Sequence, residues 1–257
     1  MVEDALFLEV ADGVAVLRIN RPDKLNALTA EMVNELGDLC RQIERREDIH
    51  VVILTGTGKA FCAGGDIDAW SGESAEAFGR HWVRDGHDAF DRLARLRQPV
   101  IAVLNGHALG GGLELAACAD YRIAEAHIKI GQPEAGLGII AGWSGTQRAV
   151  RRFGQQNVRR MAVMGEVFSA VDARTNGIVD QVAQAGQGLV AAQAIAQQVR
   201  ARGPLATEMS KMLINAAEGE EVGRVLESLA GRITAGSDDL REGLAAFKGK
   251  RPPKFHD

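Results

Sequence analysis

A chain of 257 residues is long enough to bury a full core, as one large domain or as a main domain with an appendage. Hydrophobic residues at 46% and charged residues at 25% are ordinary for a globular protein, and a net charge of −4 gives no electrostatic reason to bind nucleic acid or an anionic membrane. One tyrosine and three tryptophans exclude an aromatic stacking platform, and three scattered cysteines, Cys40, Cys62 and Cys118, suggest neither a disulfide framework nor a zinc site.

Met1-Val-Glu-Asp-Ala places acids where a signal peptide needs basic residues, and no apolar run approaches the roughly 18 residues of a membrane span. A cytoplasmic protein is expected. Leu6–Val10 and Val14–Ile19 flank Ala11-Asp-Gly13 as a hairpin, closed by the turn residues of Asn20–Asp23. Thr29 suits the cap of a helix running to about Arg46, with Met32, Leu36, Leu39 and Ile43 on one face. His50–Thr55 reads as a buried strand, followed by a loop over Ala60–Ile67 that contains Gly64-Gly65. Residues 69–97 read as polar helices in which Trp70, Phe78, Trp82, Phe90 and Leu93 interrupt a charged background.

Val100–Leu104 is a second buried strand, and Asn105–Gly112 a glycine-rich turn leading into a helix of small residues, Leu113–Ala119. Tyr121–Ala124 and His127–Ile130 are short strands ahead of the turn Gly131-Gln-Pro-Glu134. From Gly145 the pattern is helical, with Arg148, Arg151, Arg152, Arg159 and Arg160 on its polar side, until Asn176-Gly177 breaks it before a strand at Ile178–Val182. Helices follow to the end. The expectation is an α/β body over residues 1–188 and a helical region over 189–257, with the spacing of the early strands permitting repeated ββα units of unequal length.

Two glycine loops therefore follow two buried strands. If those strands are neighbours, one N–H from each loop can point at a single oxygen, the geometry of an oxyanion hole, where each donor is worth roughly 3–4 kcal/mol to the transition state. The helix opening at Gly111-Gly112 adds its positive dipole end. Neither loop has the pattern of a phosphate loop. Glu114 and Glu134, joined by two short strands, can meet in one cavity, where mutual repulsion and desolvation would push at least one towards a proton at neutral pH. Simpler readings exist for each part: glycines permit tight turns, and Glu134 after Pro133 can serve a helix dipole. His107 reads as a packed loop histidine and Cys62 as a buried small residue rather than a base or a nucleophile. The arginine group reads as a solvated face or a subunit contact before a nucleic-acid patch.

Asn105-Gly-x-Ala-x-Gly-Gly-Gly-x-Glu-Leu115, Ala60-Phe-x-Ala-Gly-x-Asp-Ile67 and Gly131-Gln-Pro-Glu134 together resemble the enoyl-CoA hydratase/isomerase (crotonase) family. Asn20-Arg-Pro-x-x-x-Asn-Ala-Leu28, Gly145-Thr-Gln-Arg148 and Glu242-Gly-x-x-Ala-Phe-x-x-Lys-Arg251 extend the resemblance, in order, over nearly the whole chain. It implies a crotonase-like spiral of ββα units with a helical C-terminal trimerisation region, assembled as homotrimers or dimers of trimers. It also implies acyl-CoA thioester substrates and no cofactor beyond the coenzyme A of the substrate. Carried over by motif, the oxyanion donors fall on Gly65 and Gly111 and the two hydratase carboxylates on Glu114 and Glu134. The substrate loop falls on Ala63, Gly65, Asp66, Ile67 and Asp68, and the CoA contacts on Lys24, Phe247 and Lys250. Many relatives lack one or both acids, so their joint presence favours a hydratase. A Δ3,Δ2-enoyl-CoA isomerase is the alternative within the fold, and a weakly catalytic acyl-CoA- or RNA-binding relative the alternative outside it. One departure stands out: Trp143-Ser144 occupies a place where relatives commonly have small residues, which puts an indole near the acyl pocket.

Overall fold

The expected hairpin opens the chain: β1 (Leu6–Ala11) and β2 (Val14–Ile19) pair antiparallel about Asp12-Gly13, both at positive φ. The computed structural model describes residues 4–255. The remaining strands are β3 (Val51–Gly56), β4 (Ala60–Cys62), β5 (Val100–Leu104), β6 (His107–Leu109), β7 (Tyr121–Glu125), β8 (Lys129–Gly131), β9 (Val167–Ser169) and β10 (Gln181–Ala183). They form a large sheet in the order β1-β2-β3-β5-β7-β10 and a small one in the order β4-β6-β8-β9. From β2 to β10 the large sheet is parallel, as are β4, β6 and β8, with β9 antiparallel at the edge. Each pass of the chain thus lays one strand in each sheet, β3 then β4, β5 then β6, β7 then β8. This is the anticipated spiral of ββα units.

The helices between the strands close the core. Thr29 caps α1 (Ala30–Arg45) by accepting the Met32 N–H, and Met32, Leu36 and Ile43 are buried beneath it. Residues 67–97 are shorter pieces than an uninterrupted helix: α2 (Ile67–Trp70), α3 (Ala75–Ala77), a π-helical stretch (Phe78–Val83) and α4 (Arg84–Ala94), which packs on α1. α5 (Gly111–Ala116) is buried along its whole length. Beyond it come α6 (Arg148–Phe153), α7 (Gln155–Val158), a second π-helical stretch (Arg159–Val163) and α8 (Ala170–Thr175). The continuous helix expected after Gly145 is therefore broken, and β9 lies within it. A three-residue edge strand is too short to show an alternating period.

α9 (Gly188–Arg200) lies on the large sheet, where Ala192 and Ala196 pack with Val14, Val51, Ile53 and Ile101. The chain divides into two compact units, one ending at Glu208 and the other beginning at Met209, with α9 in the first. α10 (Pro204–Ala217) crosses the division, and the second unit continues with α11 (Val222–Ala235) and α12 (Asp238–Lys248). No helix among the described residues is long and apolar enough to cross a membrane.

Candidate active site

The three parallel strands of the small sheet end side by side, and the residues just past their C-terminal ends make one cleft. β4 leads to Ala63-Gly64-Gly65, β6 to Gly110-Gly111, and β8 to Gln132-Pro133-Glu134. The crevice beyond the carboxyl ends of parallel strands is where α/β folds generally bind ligands. Asn26 holds the entry to β4: buried at φ +58°, it donates to the carbonyls of Ala60 (2.7 Å) and Thr57 (2.9 Å) and accepts the Arg21 N–H (2.8 Å).

The two glycine loops touch. A β-carbon placed on Gly111 would lie 3.4 Å from the Gly65 nitrogen, and one on Gly64 would lie 3.3 Å from the Gly111 nitrogen. Gly110 sits at φ +54° and ψ −127°, open to glycine and strained for other residues, and this turn starts α5 so that its first N–H groups face the cleft. Neither the Gly65 nor the Gly111 N–H donates a hydrogen bond to any described residue. Two adjacent unengaged donors at a helix N-terminus are suited to an oxygen that gains negative charge.

Glu114, 3% exposed, projects from α5 and its Oε1 accepts the N–H groups of Trp143 and Gly145, both at 2.7 Å. Burial first, and then the charge of Glu134, push its pKa up to about 8, against the pull of those two amides and of Arg148. Glu134 begins the 3-10 turn Glu134–Leu137, and burial raises its pKa as well. Neither of its carboxyl oxygens has a hydrogen-bond partner among the described residues. Both glutamates line a cleft of about 110 Å³ whose walls are mainly Ile67, Trp70, Phe78, Trp82, Leu137 and Trp143.

Of the substrate-loop residues, Ala63, Gly65 and Ile67 line the cleft. Asp66 and Asp68 do not: Asp66 caps α2 and is paired with Arg21, while Asp68 meets Lys24 at 3.3 Å. Trp143 is buried and lines the cleft, with its ring 4.9 Å from that of Trp82 and 5.1 Å from that of Phe90. Phe247, 84% exposed, and Lys250 lie in the second compact unit. His107 is exposed, accepting the Lys129 N–H through Nδ1, and the Cys62 thiol is pushed by burial up to about 12, so it is no nucleophile. Arg148 corrects the expected polar arginine face: it is 1% exposed and ion-paired with Asp91 of α4. Arg160, at the other end of that run, is engaged with Glu166 and lies over the Phe168 ring.

Trp70, Phe78 and Trp82 stand in a polar background without a recognisable pattern in the sequence, and no motif singles out Val83, Ile139 and Ile140, which also line the cleft. The periodicity of Trp70, Phe78 and Trp82 is hidden because a break separates two very short α-helices and the second runs directly into a π-helical stretch.

A sequence profile of the enoyl-CoA hydratase/isomerase family matches residues 9–257. The chain is 36% identical to the crotonyl-CoA hydratase of Syntrophomonas wolfei, covering 99% of each. It is 36% identical to the short-chain-enoyl-CoA hydratase of Clostridium acetobutylicum, over 96% of this chain and 95% of that one. The crystal structure of an enoyl-CoA hydratase from Bacillus anthracis superposes with a TM-score of 0.81 at 34% identity, covering 98% of this chain and 99% of the other. With the glycine loops and the paired glutamates at the strand ends of a shared fold, the chain belongs to the enoyl-CoA hydratase/isomerase family.

Proposed function

We propose that this protein is an enoyl-CoA hydratase, adding water syn across the 2,3 double bond of a 2-enoyl-CoA, with Gly65, Gly111, Glu114 and Glu134 as the residues that carry the reaction. The observation behind this reading is the convergence of two unengaged N–H groups and two carboxyls of raised pKa on one apolar cleft. The thioester oxygen takes the two N–H bonds, which draws electron density from C3 and stabilises the enolate-like charge that forms as water attacks. Glu114 accepts the proton from that water, and the oxygen bonds to C3. Glu134 gives its proton to C2. Afterwards the proton passes back between the carboxyls and the pair is reset.

Two amides favour the ionised form of Glu114 against burial and the charge of Glu134, and the backbone N–H of Glu134 itself works against the burial of that carboxyl. With one proton shared between the carboxyls, we assign its delivery to C2 to Glu134 and the uptake of the water's proton to Glu114. Lys24, Phe247 and Lys250 are the proposed CoA contacts, and the substrate carries the only coenzyme required. Short straight acyl groups suit the cleft, because a chain leaving the glycine N–H groups meets the Trp82–Trp143 wall. The names of the crotonyl-CoA and short-chain hydratases among the relatives point the same way. A homotrimer or dimer of trimers and a cytoplasmic location complete the reading.

Purified protein given crotonyl-CoA, longer 2-enoyl-CoAs and a 3-enoyl-CoA separates the possibilities by product. The expected result is 3-hydroxyacyl-CoA from the 2-enoyl substrates, with kcat/KM falling as the chain lengthens. Conversion of 3-enoyl- to 2-enoyl-CoA without hydration would replace this reading with an isomerase.

A further inference from the structure

The oxygen of Glu114 is held by a turn that is itself strained. The two amides that reach Oε1 flank Ser144, and for N–H groups on either side of one residue to converge on one acceptor, the backbone between them must turn back on itself. Ser144 does so at φ +80°, a conformation natural to glycine and strained for serine. Its hydroxyl has an engagement that glycine could not make. Ser144 is buried, and Oγ lies 3.0 Å from Nε2 of His87 on α4, a hydrogen bond whose direction follows the imidazole tautomer. The preceding residues meet in parallel: Gly86 leaves the space for the Trp143 ring, since a β-carbon there would overlap the indole, and Trp143 Nε1 donates to the Trp82 carbonyl at 3.0 Å. Gly86-His87 thus receives Trp143-Ser144.

We propose that His87 and Ser144 are positioning residues for Glu114, their hydrogen bond tying the strained turn to α4 so that the two amides stay on the carboxyl oxygen. Glu114 is also faced by Glu134 and by Arg148 of α6, which is paired with Asp91 of α4, so α4 holds both the turn and the cation that favours the ionised carboxyl. When the turn slackens, the ionised form of Glu114 loses amide support and its pKa rises further. The kinetic part of this inference rests on the hydratase reading, while the titration part does not.

The test labels glutamate Cδ with 13C and follows the Glu114 carboxyl by NMR titration, its resonance assigned with Glu114→Gln, in Ser144→Ala, Ser144→Gly, His87→Ala, His87→Gln and the His87→Ala/Ser144→Ala double variant. Ser144→Ala and His87→Ala should raise the midpoint by about 1 pH unit, and His87→Gln, which keeps a side-chain nitrogen in reach, by less. The double variant should move no further than either single one, as expected for two partners in one bond. Ser144→Gly should raise the midpoint without lowering Tm, because it removes the hydroxyl and the strain together. In hydration assays Ser144→Ala and His87→Ala should lose about tenfold in kcat with KM nearly unchanged, whereas a merely structural contact would lower Tm alone. Midpoints equal to wild type in Ser144→Gly and His87→Gln together with the alanine variants, or shifts that add in the double variant, would overturn the proposal. If the wild type does not hydrate enoyl-CoA, that failure belongs to the hydratase reading, and the titration still decides the role of the clasp.

Discussion

Glu114 is a carboxyl buried among leucines and alanines, where charge is poorly solvated, and two backbone amides only partly compensate. That has a consequence for stability as well as for chemistry. The group has an ordinary value of 4.5 and is pushed up to about 8 in the fold, so between those pH values the native state binds more protons than the unfolded chain. Stability contributed by the neutral form is present below the lower value and lost as pH rises through the upper one. Glutamine at this position can still accept both amides and never ionises. The Tm of Glu114→Gln should therefore match wild type near pH 4.5 and exceed it by several degrees above the folded pKa. Thermal melts at a series of pH values check this, and a difference independent of pH would contradict it. Glu134 adds to the same trend in both proteins, since burial raises its pKa too.

At the scale of elements, the site exists because β4, β6 and β8 are adjacent and parallel, which puts three loops from distant parts of the chain at one edge. α5 begins at that edge, and its first residue has little room: a β-carbon on Gly111 would fall 2.8 Å from Trp143 Cζ3 and 3.4 Å from the Gly65 nitrogen. Gly111→Ala should displace the ring or the facing donor and lower kcat by about 10²-fold or more, the scale of losing one oxyanion donor, while circular dichroism stays that of a folded protein. Unchanged kcat would remove Gly111 from the oxyanion site. The glycine loops and Glu114 were legible in the sequence because they follow long apolar strands, and Glu134 because it lies in a compact turn motif, Gly131-Gln-Pro-Glu134. β9 was not, being too short to carry a period. Arg148 looked like one of a solvated row; its burial depends on Asp91, 57 residues earlier, and no local pattern signals that partner. The same separation hid His87 from Ser144.

At the scale of the whole molecule, the second compact unit leaves Leu213, Ile214, Leu226, Ile233 and Phe247 exposed within one chain, more apolar surface than a short helical unit usually presents to water. Association through this region, expected from the family resemblance, would cover it. Light scattering of the eluted protein should give three or six times the protomer mass, and a monomer at micromolar concentration would contradict the trimer. The spiral core was readable as strand–turn–helix alternation, yet the placement of α9 on the large sheet was not. Its alanine-rich face carries too little contrast to say which neighbour it covers.

The central claim is that two carboxyls share one reaction over a pair of backbone donors. It is tested most directly by the steady-state hydration of crotonyl-CoA by wild type, Glu114→Gln and Glu134→Gln. Loss of the acid–base partner should lower kcat by about 10²–10⁴-fold in each variant with KM little changed. Hydration at the wild-type rate by either one would contradict the account.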